Sequence, residues 1–184
     1  MKKQKRQLVI MILLLALLVG AFYGLRAWQS RAPEAVETEG DIIIDVAYED
    51  VVNLIYEYEG ETYHYEKTED TWYLAEDYGQ NVRQYRIKAM LTGVTPLEAS
   101  QTIENVTDLS LYGLEEPQRT IIFDTAIQRF QISVGDSNGL TSSYYIQLKN
   151  EPDKVYVVDQ SDINRFNFGS EDIIEAEEEE NQQE

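Results

Sequence analysis

Hydrophobic positions change their spacing three times along this chain, and each change predicts a different kind of element. The first stretch is Leu8 to Leu25, eighteen residues without a charge, preceded by Lys2, Lys3, Lys5 and Arg6. At about 1.5 Å of rise per residue a helix of that length spans about 27 Å, close to the ~30 Å hydrocarbon core of a bilayer. Tyr23 and Trp28 fall near its outer end, where aromatic side chains favour the interface. The pattern predicts a transmembrane helix over 8–25, with 1–7 as a basic cytoplasmic flank. A cleaved secretory signal is the rival reading, but its apolar region usually runs only about 7 to 15 residues before a small-x-small site. Here Leu25, Arg26, Ala27 carries a charge in the middle, and Ser30, Arg31, Ala32 is followed by Pro33.

Residues 26–40 read as a linker, its Ala32 to Gly40 part having no hydrophobic period. From Asp41 the spacing becomes two. Asp41 to Tyr48 and Val51 to Tyr58 are rich in β-branched and aromatic residues, which suit a pleated, half-buried surface. In Leu54 to Lys67, Leu54, Tyr56 and Tyr58 alternate with Ile55, Glu57 and Glu59, then Tyr63 and Tyr65 with Thr62, His64 and Glu66. This is a hairpin. A type II′ turn at Gly60 and Glu61 would set Tyr58 against Tyr63 and Glu57 against His64; a turn at Glu59 and Gly60 shifts the partners by two and keeps the tyrosines on one face. A short strand, Thr71 to Ala75, follows.

The spacing then becomes helical. Ile87, Met90, Leu91 and Val94 fall at i, i+3, i+4 and i+7, one stripe of a helix packed on a sheet. Asn81 with Gln84 has the form of a capping box, so the helix is expected from Asn81 to Gly93, with Pro96 beyond it. A second helical turn is expected over Val106 to Leu111, ending at Gly113. Strands resume over Thr120 to Asp124, Phe130 to Val134, Ser143 to Leu148 and Lys154 to Val158, and Asp159 or Ser161 caps a short helix through Phe166. The expected architecture is α+β, with antiparallel strands, a few short helices, and two similar lobes of strands followed by a helix. The domain covers 41–169; 170–184, with eight acids and no base, reads as an acidic disordered tail.

Charge sharpens this division. None of the 34 acidic residues precedes Glu34, and from Ala32 onward nine bases face all 34 acids, a net charge of −25. Such a surface repels phosphate backbones, which excludes nucleic acid as a partner. The basic cluster stays in the cytoplasm, so the domain is expected outside it, tethered to the cell membrane by a single pass. With no cysteine in the chain there is no disulfide, thiolate metal site or lipidated thiol.

Several groups of residues invite a chemical reading. His64 is the only histidine, so a several-imidazole metal site is impossible, and its place in an alternating strand fits a cross-strand partner better than a catalytic base. Asp136, Ser137, Asn138 and Gly139 open like a calcium loop but lack its closing glutamate, and D-x-N-G is common turn chemistry. Arg83, Arg86 and Lys88 either offset strand acids such as Glu57, Glu59 and Glu66 or contact an acidic partner. The tyrosine-rich hairpin face is either packed under a helix or an exposed binding platform. Trp72 and Tyr112 are expected to anchor the helix and the crossover between the lobes, and Gly113 to supply a backbone conformation that other residues resist. No catalytic, metal or cofactor-binding residue is assigned.

Trp72-Tyr-Leu, the helix from Asn81, D-L-S-L-Y-G-L-E-E-P from Asp108 to Pro117, I-S-V-G-D from Ile132, Y-Y-I-Q-L from Tyr144 and V-Y-V-V from Val155 together resemble a bacterial family, domain of unknown function 4340, over Val51 to Phe166. The resemblance implies one N-terminal membrane segment and association with ABC-type transport systems, including those of gliding motility; it brings no established active site. The expectation is therefore a non-enzymatic, membrane-anchored accessory or scaffold protein with an envelope or transporter partner and no cofactor. The alternatives are a solute- or polymer-binding domain feeding a transporter and, third, a membrane-tethered hydrolase.

Overall fold

Alternation of period two builds one large sheet from almost the whole domain. The computed structural model describes residues 40–175. The membrane helix expected over 8–25, its flank 1–7, the linker before Gly40 and the tail beyond Glu175 lie outside the described residues, and no helix among the described residues is long and apolar enough to cross a membrane. The strands are β1 (Asp41–Ile44), β2 (Val51–Tyr58), β3 (Glu61–Thr68), β4 (Thr71–Leu74), β5 (Leu97–Ala99), β6 (Gln101–Ile103), β7 (Arg119–Thr125), β8 (Arg129–Asn138), β9 (Ser143–Leu148) and β10 (Val155–Asp159). The helices are α1 (Gln84–Leu91), α2 (Gln160–Ile163) and α3 (Ser170–Ile173), with 3-10 turns at Tyr48–Asp50, Ser110–Tyr112 and Asn164–Phe166. Eight strands form one antiparallel sheet in the order β4-β3-β2-β7-β8-β9-β10-β6, and β1 pairs with β5 beside it.

The α+β class holds, but the two strand runs do not form separate lobes. β2 pairs directly with β7. Leu54 and Tyr56, Tyr65, Trp72, Ile121 and Phe123, Ile132 and Val134, Ile146 and Val158 turn to one face and share a single buried cluster with Ile87, Met90 and Leu91 of α1, Ile163, Phe166 and Ile173. Burying each such side chain contributes about 1.5–3 kcal/mol, so one cluster spanning both runs makes them fold as a unit.

The hairpin takes the second of its two registers. Tyr58 lies opposite Glu61 and Tyr56 opposite Tyr63, because the turn is Glu59-Gly60, with φ of +52° and +82°. Two successive positive φ values are those of a type I′ turn, whose twist matches the strands. His64 therefore faces Ile55 and Glu57 faces Thr62, while the tyrosines keep their shared face.

Helix α1 starts at Gln84, two residues later than the capping pattern predicts, with Arg83 rather than Asn81 at the N-cap position. The segment before it is held extended by residues 173–175: Val82 bridges Ile174, the Arg83 N–H donates to Ile173 O at 2.8 Å, and the Glu175 N–H donates to Asn81 O at 2.8 Å. Gln84 itself is spent on the sheet. Its Oε1 accepts the Trp72 N–H at 2.8 Å and its Nε2 donates to Trp72 O at 2.9 Å, so the amide stands where another strand would pair with β4. The apolar stripe is as expected, with Ile87, Met90, Leu91 and Val94 fully buried.

Disorder expected from Ser170 is not found there, since Ser170–Ile173 forms α3 and Ile173 is completely buried. Ordered chain over Phe166 to Glu175 lies across the hairpin, where the Tyr56 hydroxyl donates to Phe168 O at 2.9 Å. Asp159 caps α2 by accepting the Ser161 N–H at 2.7 Å. The helical turn expected over Val106 to Leu111 contracts to Ser110–Tyr112 and ends at Gly113, φ +66°.

Candidate functional site

The two faces of the large sheet differ in what covers them. The helices and the C-terminal segment close one face. On the other, the connection from β6 to β7 crosses β9 and β8: the Val106 N–H donates to Asp153 O, Tyr112 packs edge-on against Tyr145 at 5.2 Å, and the Gln118 N–H donates to Val134 O. This crossing is built on two glycines. A Cβ at Gly135 would stand 2.1 Å from Tyr112 O, and one at Gly113 would stand 2.5 Å from Asp136 Cγ. The Y-G-L and V-G-D segments therefore need glycine because they press backbone to backbone.

Beyond the crossing, over β3, β2 and β7, the second face stays open and carries a polar chain. The His64 Nε2–H donates to Asn53 Oδ1 at 2.8 Å, and Asn53 Nδ2 donates to Asp124 Oδ2 at 2.8 Å. Arg129 closes the chain as a fork, Nε on Asp124 Oδ1 at 2.7 Å and a terminal nitrogen on Oδ2 at 2.8 Å. Arg129 holds the Asp124 carboxyl below the usual carboxylate range, opposed by partial burial and helped by Asn53. Glu66 Oε1 lies 3.6 Å from His64 Nε2. Residues from β3, β2, β7 and β8 are thus tied in a row, with half-buried Ile55 and Ile122 between them. Chemically the row orients His64 toward an amide oxygen rather than a hydroxyl, which is the geometry of a register clamp.

The other candidates fall elsewhere. Asp136 and Ser137 belong to β8; Asp136 Oδ1 accepts from Gln118 Nε2 at 3.3 Å, and Asn138 Oδ1 accepts the Leu140 N–H. Among the described residues no three His, Cys, Asp or Glu side chains are grouped to hold a metal. The three bases of the helix region do not offset strand acids. Arg83 donates to Glu171 O and Asp172 O, Arg86 lies over the Phe168 ring at 4.7 Å, and Lys88 lies 5.4 Å from the Tyr48 ring. Sequence reasoning missed these roles because their partners are backbone carbonyls and aromatic faces far along the chain.

The tyrosine face is mostly core. Tyr56 and Tyr65 are fully buried, and the Tyr56 ring stacks on Tyr63 at 5.1 Å and meets Phe166 at 5.8 Å. Burial pushes the Tyr56 hydroxyl well above its ordinary pKa and that of Tyr65 up to about 12, so both stay neutral at physiological pH. Trp72 is buried, its Nε1 donating to the Tyr48 hydroxyl at 3.2 Å. At the rim, Arg119 donates to Asn167 Oδ1 and lies 5.7 Å from the Tyr144 ring. It borders a shallow cleft of about 520 Å³ with Glu57, Tyr58, Glu59 and Thr62.

No curated protein and no solved structure matches the chain. A family model described as "Domain of unknown function (DUF4340)" matches residues 72–183, more than half of the chain. The match starts at Trp72, so the hairpin from Val51 to Thr68 precedes it, and it takes in the glycine-built crossing, β8 to β10 and the C-terminal helices. The chain belongs to the DUF4340 domain family.

Proposed function

We propose that the protein is a non-enzymatic, single-pass membrane-anchored accessory or scaffold protein, whose extracytoplasmic domain binds another envelope component, associated with an ABC-type transport system. The observation that carries this reading is the asymmetry of the sheet: one face is closed over the core, while the other, over β3, β2 and β7, is open and carries the row His64, Asn53, Asp124 and Arg129, whose polar groups bond one another. Such a surface is suited to contact rather than reaction. The apolar run from Leu8 to Leu25 and the basic residues before it support the anchor and its direction.

Two measurements test it. Protease added to right-side-out spheroplasts should digest the domain, and purification in mild detergent should recover a stoichiometric membrane partner. Protection of the domain, or a lone monomer in detergent, would overturn the proposal. The cleft beside Arg119 favours a second reading, a solute-binding domain, because it places a guanidinium near two carboxylates. A lone monomer whose melting temperature rises with a small charged solute, and loses that response in Arg119→Gln, would select it.

A further inference from the structure

At the end of the sheet where β7 turns into β8, an aliphatic side chain is presented to solvent by a turn that cannot readily withdraw it. Ile127 is 95% exposed. The turn is locked by Thr125: its N–H donates to Gln128 O at 2.8 Å, its hydroxyl donates to the same oxygen at 3.2 Å, and its Oγ1 accepts the Gln128 N–H at 3.0 Å. Beside Ile127 lies a cleft of about 430 Å³, with half-buried Val46 and Phe130 in its wall. Val52, pushed outward by the bulge of β2 opposite Thr125 and Asp124, adds a second exposed aliphatic nearby. Asp45 and Asp50 line the cleft, both are exposed, and among the described residues no base lines it.

These features are independent and converge. A rigid apolar knob avoids the ordering cost of binding, a neighbouring cleft with Val46 and Phe130 in its wall accepts a side chain in return, and an acidic rim selects the charge of what approaches. We infer that this end of the domain, centred on Ile127, docks a protein partner whose contact surface is an apolar patch edged by lysine or arginine. Asp45 lies five residues from Gly40, at most about 18 Å of chain, so the contact sits near the point where the linker meets the domain. The inference rests on the scaffold reading above and names the surface through which it works.

Leu140, 98% exposed at the β8–β9 turn, supplies the internal control, because it is equally exposed and at the other end of β8. A photo-crosslinking residue is placed at 127 or at 140 in the full chain, in native membranes, with and without Asp45→Asn and Asp50→Asn. The expected result is one discrete protein adduct from position 127, at least fivefold weaker from position 140, and reduced at least fivefold by the two asparagines. The adduct should also carry a basic contact peptide. No adduct at 127, equal yields from the two positions, or a yield indifferent to the aspartates would overturn the inference. If a stoichiometric partner still co-purifies in those cases, the scaffold reading survives and only this surface falls; if none co-purifies, both fall.

Discussion

The covered and open faces of the eight-stranded sheet are made by the same strands, one residue apart, yet they do opposite things. On the covered face, Tyr56, Phe123 and Phe166 exclude water and meet across strands and helices. On the open face, Asn53, His64, Asp124 and Arg129 bond one another in a line. A period of two thus separates a buried face from one that faces solvent. Residues of the first face are expected to control whether the domain folds, and those of the second to matter less for its stability.

The largest effect should come from the covered face. Phe166→Ala removes a fully buried ring that touches Tyr56 and is expected to cost about 3–5 kcal/mol in denaturant titration; a cost below 1 kcal/mol would mean that the C-terminal segment is not part of the core. Gly135→Ala ranks next, at about 2–3 kcal/mol, since its Cβ collides with a backbone oxygen rather than a yielding side chain. On the open face the scale drops. Asp124→Asn is expected to cost about 1 kcal/mol or less at neutral pH, the range of a partly solvated ion pair.

The sign of its pH dependence follows from the depressed pKa of Asp124. Ionised Asp124 favours the folded state above the unfolded carboxylate range, and this contribution is lost as pH falls through the lower folded value. Melting temperatures of parent and variant should therefore converge in acid; a gap that widens there would reverse the assignment. The smallest effect belongs to Ile127→Ser, within about 0.5 kcal/mol by thermal melt. A larger loss would show that the tip packs on its own domain and is not free to meet a partner.

How much of this was legible in the sequence depended on distance along the chain. The strands from Val51 to Thr68, the stripe Ile87–Met90–Leu91–Val94 and the Asp159 cap are local signals, and the structure keeps them. β5 and β6 are three residues each, too short to show a period. The helix starts beyond the local capping pattern because the Asn81 carbonyl pairs with the Glu175 N–H, holding the segment extended, and the Gln84 amide is taken by Trp72. Ser170 to Ile173 reads as solvated because its acids flank one isoleucine, which joins the buried cluster only in the fold. The polar row on the open face was invisible for the same reason: Asn53 and Asp124 are 71 positions apart and meet only through the pairing of β2 with β7.

Gln84, with its amide on both backbone groups of Trp72, has a consequence for the molecule among its neighbours. Strands rich in tyrosine and β-branched residues are ready templates for further strands, and an exposed rim would let one copy recruit the next into a growing ribbon. By occupying that rim at Trp72 with a side chain, the protein blocks a second copy from pairing its strand there.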